Sequence, residues 1–252
     1  MKHIVIEVCA GGFADCLSAA AAGIKRVELN SALALGGLTC TAATLRKVKK
    51  YTDLEVICMV RPRGCGFCYD VMEKEIMFDE AKALLDAGAD GIAFGFLKAN
   101  GEIDQAETEK MVDLIHSYNK KAVFHRAFDV SIDPYESIQT LIACHVDRVM
   151  TSGMDETAIR GMELIRKLQN QFHDQIEILP ACGITAKNVE PFLNYTQCDQ
   201  IHSSCRSYHF DPTTKLGGVD FSMYPQEHSM DYDIVSARKL QQLIDKVGML
   251  NL

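Results

Sequence analysis

No apolar run in this chain approaches the roughly 20 residues needed to cross a bilayer, which excludes a membrane-spanning helix. Lysine and arginine never cluster beyond the short run Lys47-Val48-Lys49-Lys50, and the formal charge is -8. A nucleic-acid partner is therefore not expected; the short run reads as the solvated face of a helix. No leader is visible, because Met1-Lys2-His3 passes straight into an apolar stretch, and a cytoplasmic protein is expected. The ten cysteines are scattered through the chain and lack the framework of a disulfide-stapled domain. In a chain long enough to bury a large core they are expected to stay reduced. Cys65-Gly66-Phe67-Cys68 has no second C-x-x-C and no His-x-His to complete a zinc set. Tryptophan is also missing, which by itself excludes nothing.

What is present is a rhythm. Apolar segments recur at residues 3–8, 26–30, 55–61, 91–95, 121–126, 147–151, 176–181 and 199–203, several of them rich in valine and isoleucine. Helical patterns lie between them. Asp104, Asp155 and Thr185 read as helix N-caps, and Asp133 followed by Pro134 is a further start signal. Ala158, Met162, Ile165 and Leu168 fall on one helical stripe, and Val235, Leu240, Leu243, Ile244 and Val247 on another. Ala22-Gly23 and Ala87-Gly88 read as helix ends. Buried parallel strands alternating with helices eight times predict an α/β fold, a parallel eight-stranded (β/α)8 barrel forming one domain over residues 1–252. Two stretches break the rhythm, 62–72 and 206–232. As long loops on the catalytic face they are candidate lids or subunit contacts.

The strand ends carry the chemistry. Alternation turns Glu7, Cys9, Glu28, Asn30, Met59 and Arg61 toward the barrel axis, with Arg63 less firmly placed. These charges form either an ion-pair network that closes the barrel or a site for a small anionic ligand. In a site, Arg61 and Arg63 would bind the anion, Glu7 or Glu28 would act as base and His125 as partner acid. His125 and His202 stand beside polar neighbours, among them Arg126, Asp129 and Ser203, and Ser152 ends the sixth strand. Gly183 and Ser203 lie in the loops after the seventh and eighth strands, where barrels often hold phosphate. The thiols give a competing reading, in which Cys9 with Cys65, Cys68 or Cys182 holds Cu(I) or another soft metal.

Several phrases together resemble the CutC family: Glu7-Val8-Cys9, Arg26-Val27-Glu28-Leu29, Gly36-Gly37-Leu38-Thr39, Met59-Val60-Arg61-Pro62-Arg63, Phe124-His125-Arg126-Ala127-Phe128-Asp129 and Thr151-Ser152-Gly153. The resemblance runs in register from about residue 4 to 205. It implies a TIM barrel, a cytoplasmic location, a homodimer or higher homo-oligomer, and a role in copper homeostasis. The copper, as Cu(I), would be held by cysteines ending the first and second strands. Here Cys9 matches that pattern, but Asn30 stands where the second cysteine is usual. The alternative remains a barrel enzyme using lyase-, isomerase- or hydrolase-type acid/base chemistry on a small anionic or phosphorylated metabolite.

Overall fold

The computed structural model describes residues 4–250. Met1, Lys2 and His3, on which the absence of a leader and the start of the first expected strand rest, lie outside the described residues. Eight strands form the centre: β1 (Val5–Ala10), β2 (Arg26–Leu29), β3 (Glu55–Met59), β4 (Gly91–Phe94), β5 (Lys121–Phe124), β6 (Arg148–Thr151), β7 (Glu177–Pro180) and β8 (Gln200–Ser203). They pair in parallel in the order β7-β6-β5-β4-β3-β2-β1-β8. β7 and β8 meet at a seam bridged by side chains. Gln200 Nε2 donates to Glu177 Oε2 at 3.4 Å, and Ser203 Oγ donates to the Ile184 carbonyl at 2.7 Å. The sheet is thus a nearly closed (β/α)8 barrel.

Helices α1 (Phe13–Ala21), α2 (Ala42–Tyr51), α3 (Val71–Asp86), α4 (Gln105–Ser117), α5 (Pro134–Ala143), α6 (Met162–Phe172), α7 (Val189–Thr196) and α8 (Ala237–Leu250) surround it. Outward strand residues such as Val8, Val27, Leu29, Val56 and Cys58 share one buried cluster with helix residues such as Leu45, Met77, Met111 and Leu243. Burial of this apolar shell drives the fold. Inside the barrel, Ile57, Met59, Ala93 and Val123 form a separate apolar plug.

Local chemistry sets the helix ends. Asp133 Oδ1 accepts from the backbone N–H of Tyr135 at 2.8 Å and of Glu136 at 2.9 Å, with proline at the first helical position. Asp133→Ala is expected to lower the unfolding free energy by about 1 kcal/mol, measurable by urea denaturation. Two expected caps are corrected. Asp155 lies in an irregular loop and pairs with Arg160 Nε at 2.9 Å, while α6 starts after Gly161. The reason is a tight crossing. Gly153 has φ +74°, and a Cβ there would meet the Gly161 carbonyl at 2.2 Å, so the chain folds on itself before the helix begins. Thr185 likewise precedes a turn, with Asn188 at the cap position of α7.

The 206–232 stretch is more ordered than a loop. β9 (Arg206–Phe210) pairs antiparallel with β12 (Asp231–Val235), and between them lies the small hairpin β10 (Lys215–Leu216) with β11 (Val219–Asp220). Val235, expected on the last helix, ends β12 instead. Its N–H donates to Asp15 Oδ1 at 2.8 Å, which ties the strand to α1. Among the described residues no helix is long and apolar enough to cross a membrane.

Candidate functional site

Strand register builds the site. Parallel pairing sets Cys9 beside Glu28, and Glu7 beside both Arg26 and His202. All five turn into the barrel, in two layers. The lower layer is an ion network. Glu7, 1% exposed, lies 2.7 Å from Arg26 Nε, 3.7 Å from Arg148 Nη1 and 2.8 Å from His202 Nδ1. Arg148 reaches on to Glu177 at 2.6 Å. Burial alone would raise the Glu7 pKa, but the His202 hydrogen bond and the Arg26 charge hold it at about 2.

The upper layer opens to a cavity of about 880 Å³ at the C-terminal mouth, lined among others by Cys9, Glu28, Asn30, Arg61, His125 and His202. One donor atom each from Cys9, Glu28 and His202 lies within 4.8 Å of the others. His202 Nε2 is 3.8 Å from Glu28 Oε2, and Cys9 Sγ is 3.9 Å from the same oxygen. Asn30 Nδ2 donates to Glu28 Oε2 at 2.9 Å and to Cys9 Sγ at 3.6 Å. Burial disfavours the His202 cation, yet hydrogen bonds to Cys9 and Glu7 and the Glu28 charge raise its pKa well above the ordinary value. Burial raises the pKa of both Cys9 and Glu28.

His125 behaves differently. Its Nδ1 accepts from the Ala127 N–H at 3.1 Å, so the neutral ring carries its proton on Nε2. That nitrogen is buried with no partner among the described residues, and the ring lines the cavity. Burial, then the Arg61 charge, lower its pKa from 6.5 to about 3. An acid role at neutral pH, the expectation for His125, does not follow from this placement. With the folded pKa depressed, the stability His125 contributes is complete above 6.5 and declines as pH falls toward 3. NMR of the imidazole is expected to show the neutral Nε2–H tautomer down to about pH 5; a midpoint near 6.5 would contradict the burial argument.

Arg61 clamps loops. Its Nη1 donates to the carbonyls of Leu35, Gly36 and Gly37 at 3.3, 3.2 and 3.1 Å, and Nη2 donates to Cys65 at 2.7 Å. Phe67 covers it, with the ring centroid 5.0 Å from the guanidinium carbon, and the same ring lies 5.0 Å from that of His125. The 62–72 stretch thus supplies part of the cavity wall. Gly37 is required here, because its φ is +86° and a Cβ would meet Asn30 Oδ1 at 2.4 Å.

Of the residues singled out in the sequence, Cys9, Glu28, Arg61, His125, Arg126, Gly183, His202 and Ser203 line the cavity. Six others are elsewhere. Glu7 lies beneath it, held by its ion pairs. Arg63 turns outward to Glu73 and Tyr69, because the chain bends after β3 and the alternation ends there. Asp129 accepts from the N–H groups of Ser152 and Met154 and from the hydroxyls of Thr151 and Ser152, so Asp129 and Ser152 form a loop anchor. Cys65 and Cys68 are exposed in the 62–72 loop and do not join Cys9. Arg206, Arg238, Lys239 and Lys187 line the rim and were not singled out in the sequence. A signal was available for three of them: Arg206 follows shortly after β8, and Arg238 and Lys239 lie in the first turn of α8, where cations are unfavourable.

The CutC family model matches residues 4–207. The chain belongs to the CutC family. A CutC family protein of Treponema denticola is 45% identical over 234 residues, covering 92% of this chain and 94% of that protein. The copper homeostasis protein cutC homolog of Mus musculus is 36% identical over 203 residues, covering 81% of this chain and 74% of the mouse protein. The crystal structure of CutC from Streptococcus agalactiae superposes with a TM-score of 0.75 at 30% identity, over 80% of this chain and 98% of that one. In this CutC protein the cluster of Cys9, Glu28 and His202 contains one thiol, with the Asn30 amide beside it.

Proposed function

We propose that this CutC protein serves copper homeostasis by binding Cu(I) as cargo at Cys9 and His202, with Glu28 as the adjoining carboxylate. The observation that carries the reading is the convergence of a thiol, an imidazole and a carboxylate within 4.8 Å at the cavity floor. The donor chemistry fits. A soft monovalent ion takes thiolate and imidazole, and Glu28 adds negative charge without having to ligate. Glu28 Oε1 has no hydrogen-bond partner among the described residues, so the carboxylate is not saturated by protein donors. Glu7 behind His202 supplies the carboxylate–histidine support common to metal sites, fixing Nδ1 so that Nε2 faces the cavity. The asparagine amide is a poor ligand for a soft ion. Through its bonds to Glu28 and Cys9, Asn30 instead positions the ligands.

Binding expels the Cys9 and His202 protons, so affinity rises with pH, by up to about tenfold per pH unit for each proton released. The mouse and human relatives carry the name copper homeostasis protein cutC homolog, which supports the reading. Ten free cysteines suit a reducing, cytoplasmic setting. The test is a competition titration of reduced protein against a Cu(I) chelator. Binding of one ion per chain is the expected result, and no uptake rejects the proposal.

A further inference from the structure

The cavity is larger than a single metal ion needs, and its electrostatics oppose those of the chain. The chain carries -8, yet Glu28 is the one carboxylate among the described residues lining the cavity. Against it stand Arg61, Arg126, Lys187, Arg206, Arg238 and Lys239. Four of these cations come from three segments that line the cavity together, the loop after β7, β9 and the first turn of α8. Arg238 and Lys187 make no side-chain hydrogen bond or ion pair among the described residues. Arg206 Nε is 4.0 Å from Asp233 and makes no hydrogen bond, and Lys239 Nζ donates once, to the Arg206 carbonyl at 2.5 Å. Two cations in the first turn of α8 add to the positive end of its dipole, an arrangement that opposes helix stability and favours an anion.

The floor supplies an independent observation. Glu28 Oε1, His125 Nε2 and Arg61 Nε are buried and unpartnered among the described residues, and their side chains line the same cavity at 3%, 3% and 6% exposure. Buried polar atoms left unpaired are costly, and an unpaired acceptor and two unpaired donors in side chains of one cavity wall point to a polar occupant. The volume, about 880 Å³, is that of a small-molecule site.

We propose that the barrel mouth binds a small phosphorylated organic molecule, with its phosphate at Arg206, Arg238, Lys239 and Lys187 and its hydroxyl- or carbonyl-bearing end against Glu28, His125 and Arg61. This goes beyond copper binding and stands independently of it. The N–H group of Gly183, exposed at the rim, and the hydroxyl of Ser204 are further phosphate donors on the same side. The cations carry charge attraction and the floor carries selection of the organic part.

The test uses the full chain kept metal-free by chelator, so its outcome is read separately from copper binding. Inorganic phosphate, ribose 5-phosphate and ribose are the three probes, followed by calorimetry and by ¹H–¹⁵N NMR. Ribose 5-phosphate is expected to bind at least about tenfold more tightly than inorganic phosphate, and ribose alone not measurably. Amide shifts are expected at 183–187 and in the first turn of α8. The double variant R238Q/K239Q, at two exposed positions, is expected to weaken both phosphate probes at least about tenfold. The proposal is overturned by any of three results: no binding of ribose 5-phosphate at about 10 mM, equal affinities for the two phosphate probes, or unchanged binding in the double variant.

Discussion

Cys9→Ser is expected to lower the affinity for the proposed Cu(I) cargo by more than about a hundredfold, because it removes the one thiol of the Cys9, Glu28 and His202 cluster and leaves an oxygen that a monovalent soft ion binds weakly. The other thiols are placed differently: Cys65 and Cys68 lie in an exposed loop, the Cys182 thiol donates to the Glu156 carbonyl at 3.0 Å, and Cys205, which also lines the cavity, has its Sγ 3.6 Å from Ser203 Oγ and stands outside the Cys9, Glu28 and His202 cluster. Glu7→Gln has a smaller effect, about 10–100-fold, since it preserves shape but weakens the support behind His202. The ordering of the two variants is the informative part. Competition with a Cu(I) chelator at fixed pH measures both, and an unchanged affinity in Cys9→Ser would remove copper from the barrel mouth.

Glu7→Ala is expected to destabilise the protein by about 3–5 kcal/mol, the range for breaking a buried ion pair by removing one partner. The side chain is 1% exposed and is the shared partner of Arg26, Arg148 and His202. Its loss leaves two guanidinium groups buried with less compensation, and Arg148 retains Glu177 while Arg26 retains Gln200. Urea denaturation at neutral pH measures the loss. A value under about 1 kcal/mol, the range of surface pairs, would mean that the network is solvated. The pH dependence has a definite sign. The folded pKa of Glu7, about 2, lies below the ordinary 4.5, so its contribution is complete above 4.5 and disappears as pH falls through 2. Acid unfolding in that window is expected to be blunted in Glu7→Gln.

The ion network and the site turned out to be two layers of the same barrel. In the sequence these were competing readings of one set of charges. Alternation along β1 and β2 places Glu7, Cys9, Glu28 and Asn30 on a common face, and so they are found. Depth is what alternation does not report. Glu7 sits one residue pair below Cys9, and that step of the strand separates a saturated ion pair from a cavity wall. Arg63 shows the other boundary of the argument. Beyond the end of β3 the period-two rule no longer applies, and the side chain goes outward to Glu73.

Asp129 and Ser152 illustrate a different confusion. Polar residues at strand ends suit ligand binding and loop anchoring equally well. The carboxylate of Asp129 is filled by donors from its own fold, which a linear pattern of residue types cannot display. The rim cations are not legible in the sequence for a related reason. Arg206, Lys187, Arg238 and Lys239 are spread over about fifty residues and gather only when the loops after β7 and β8 meet α8.

The sequence by itself determined the strand–helix rhythm, the (β/α)8 barrel, the family and the inward face of the early strands, because all of these follow from periodicity and from local phrases. The tertiary structure alone decided which inward groups reach the cavity, which charges are already paired, and which proton His125 carries. Those depend on distances between residues far apart in the chain, down to the 2.8 Å contact between Glu7 and His202 across the closing strands of the barrel.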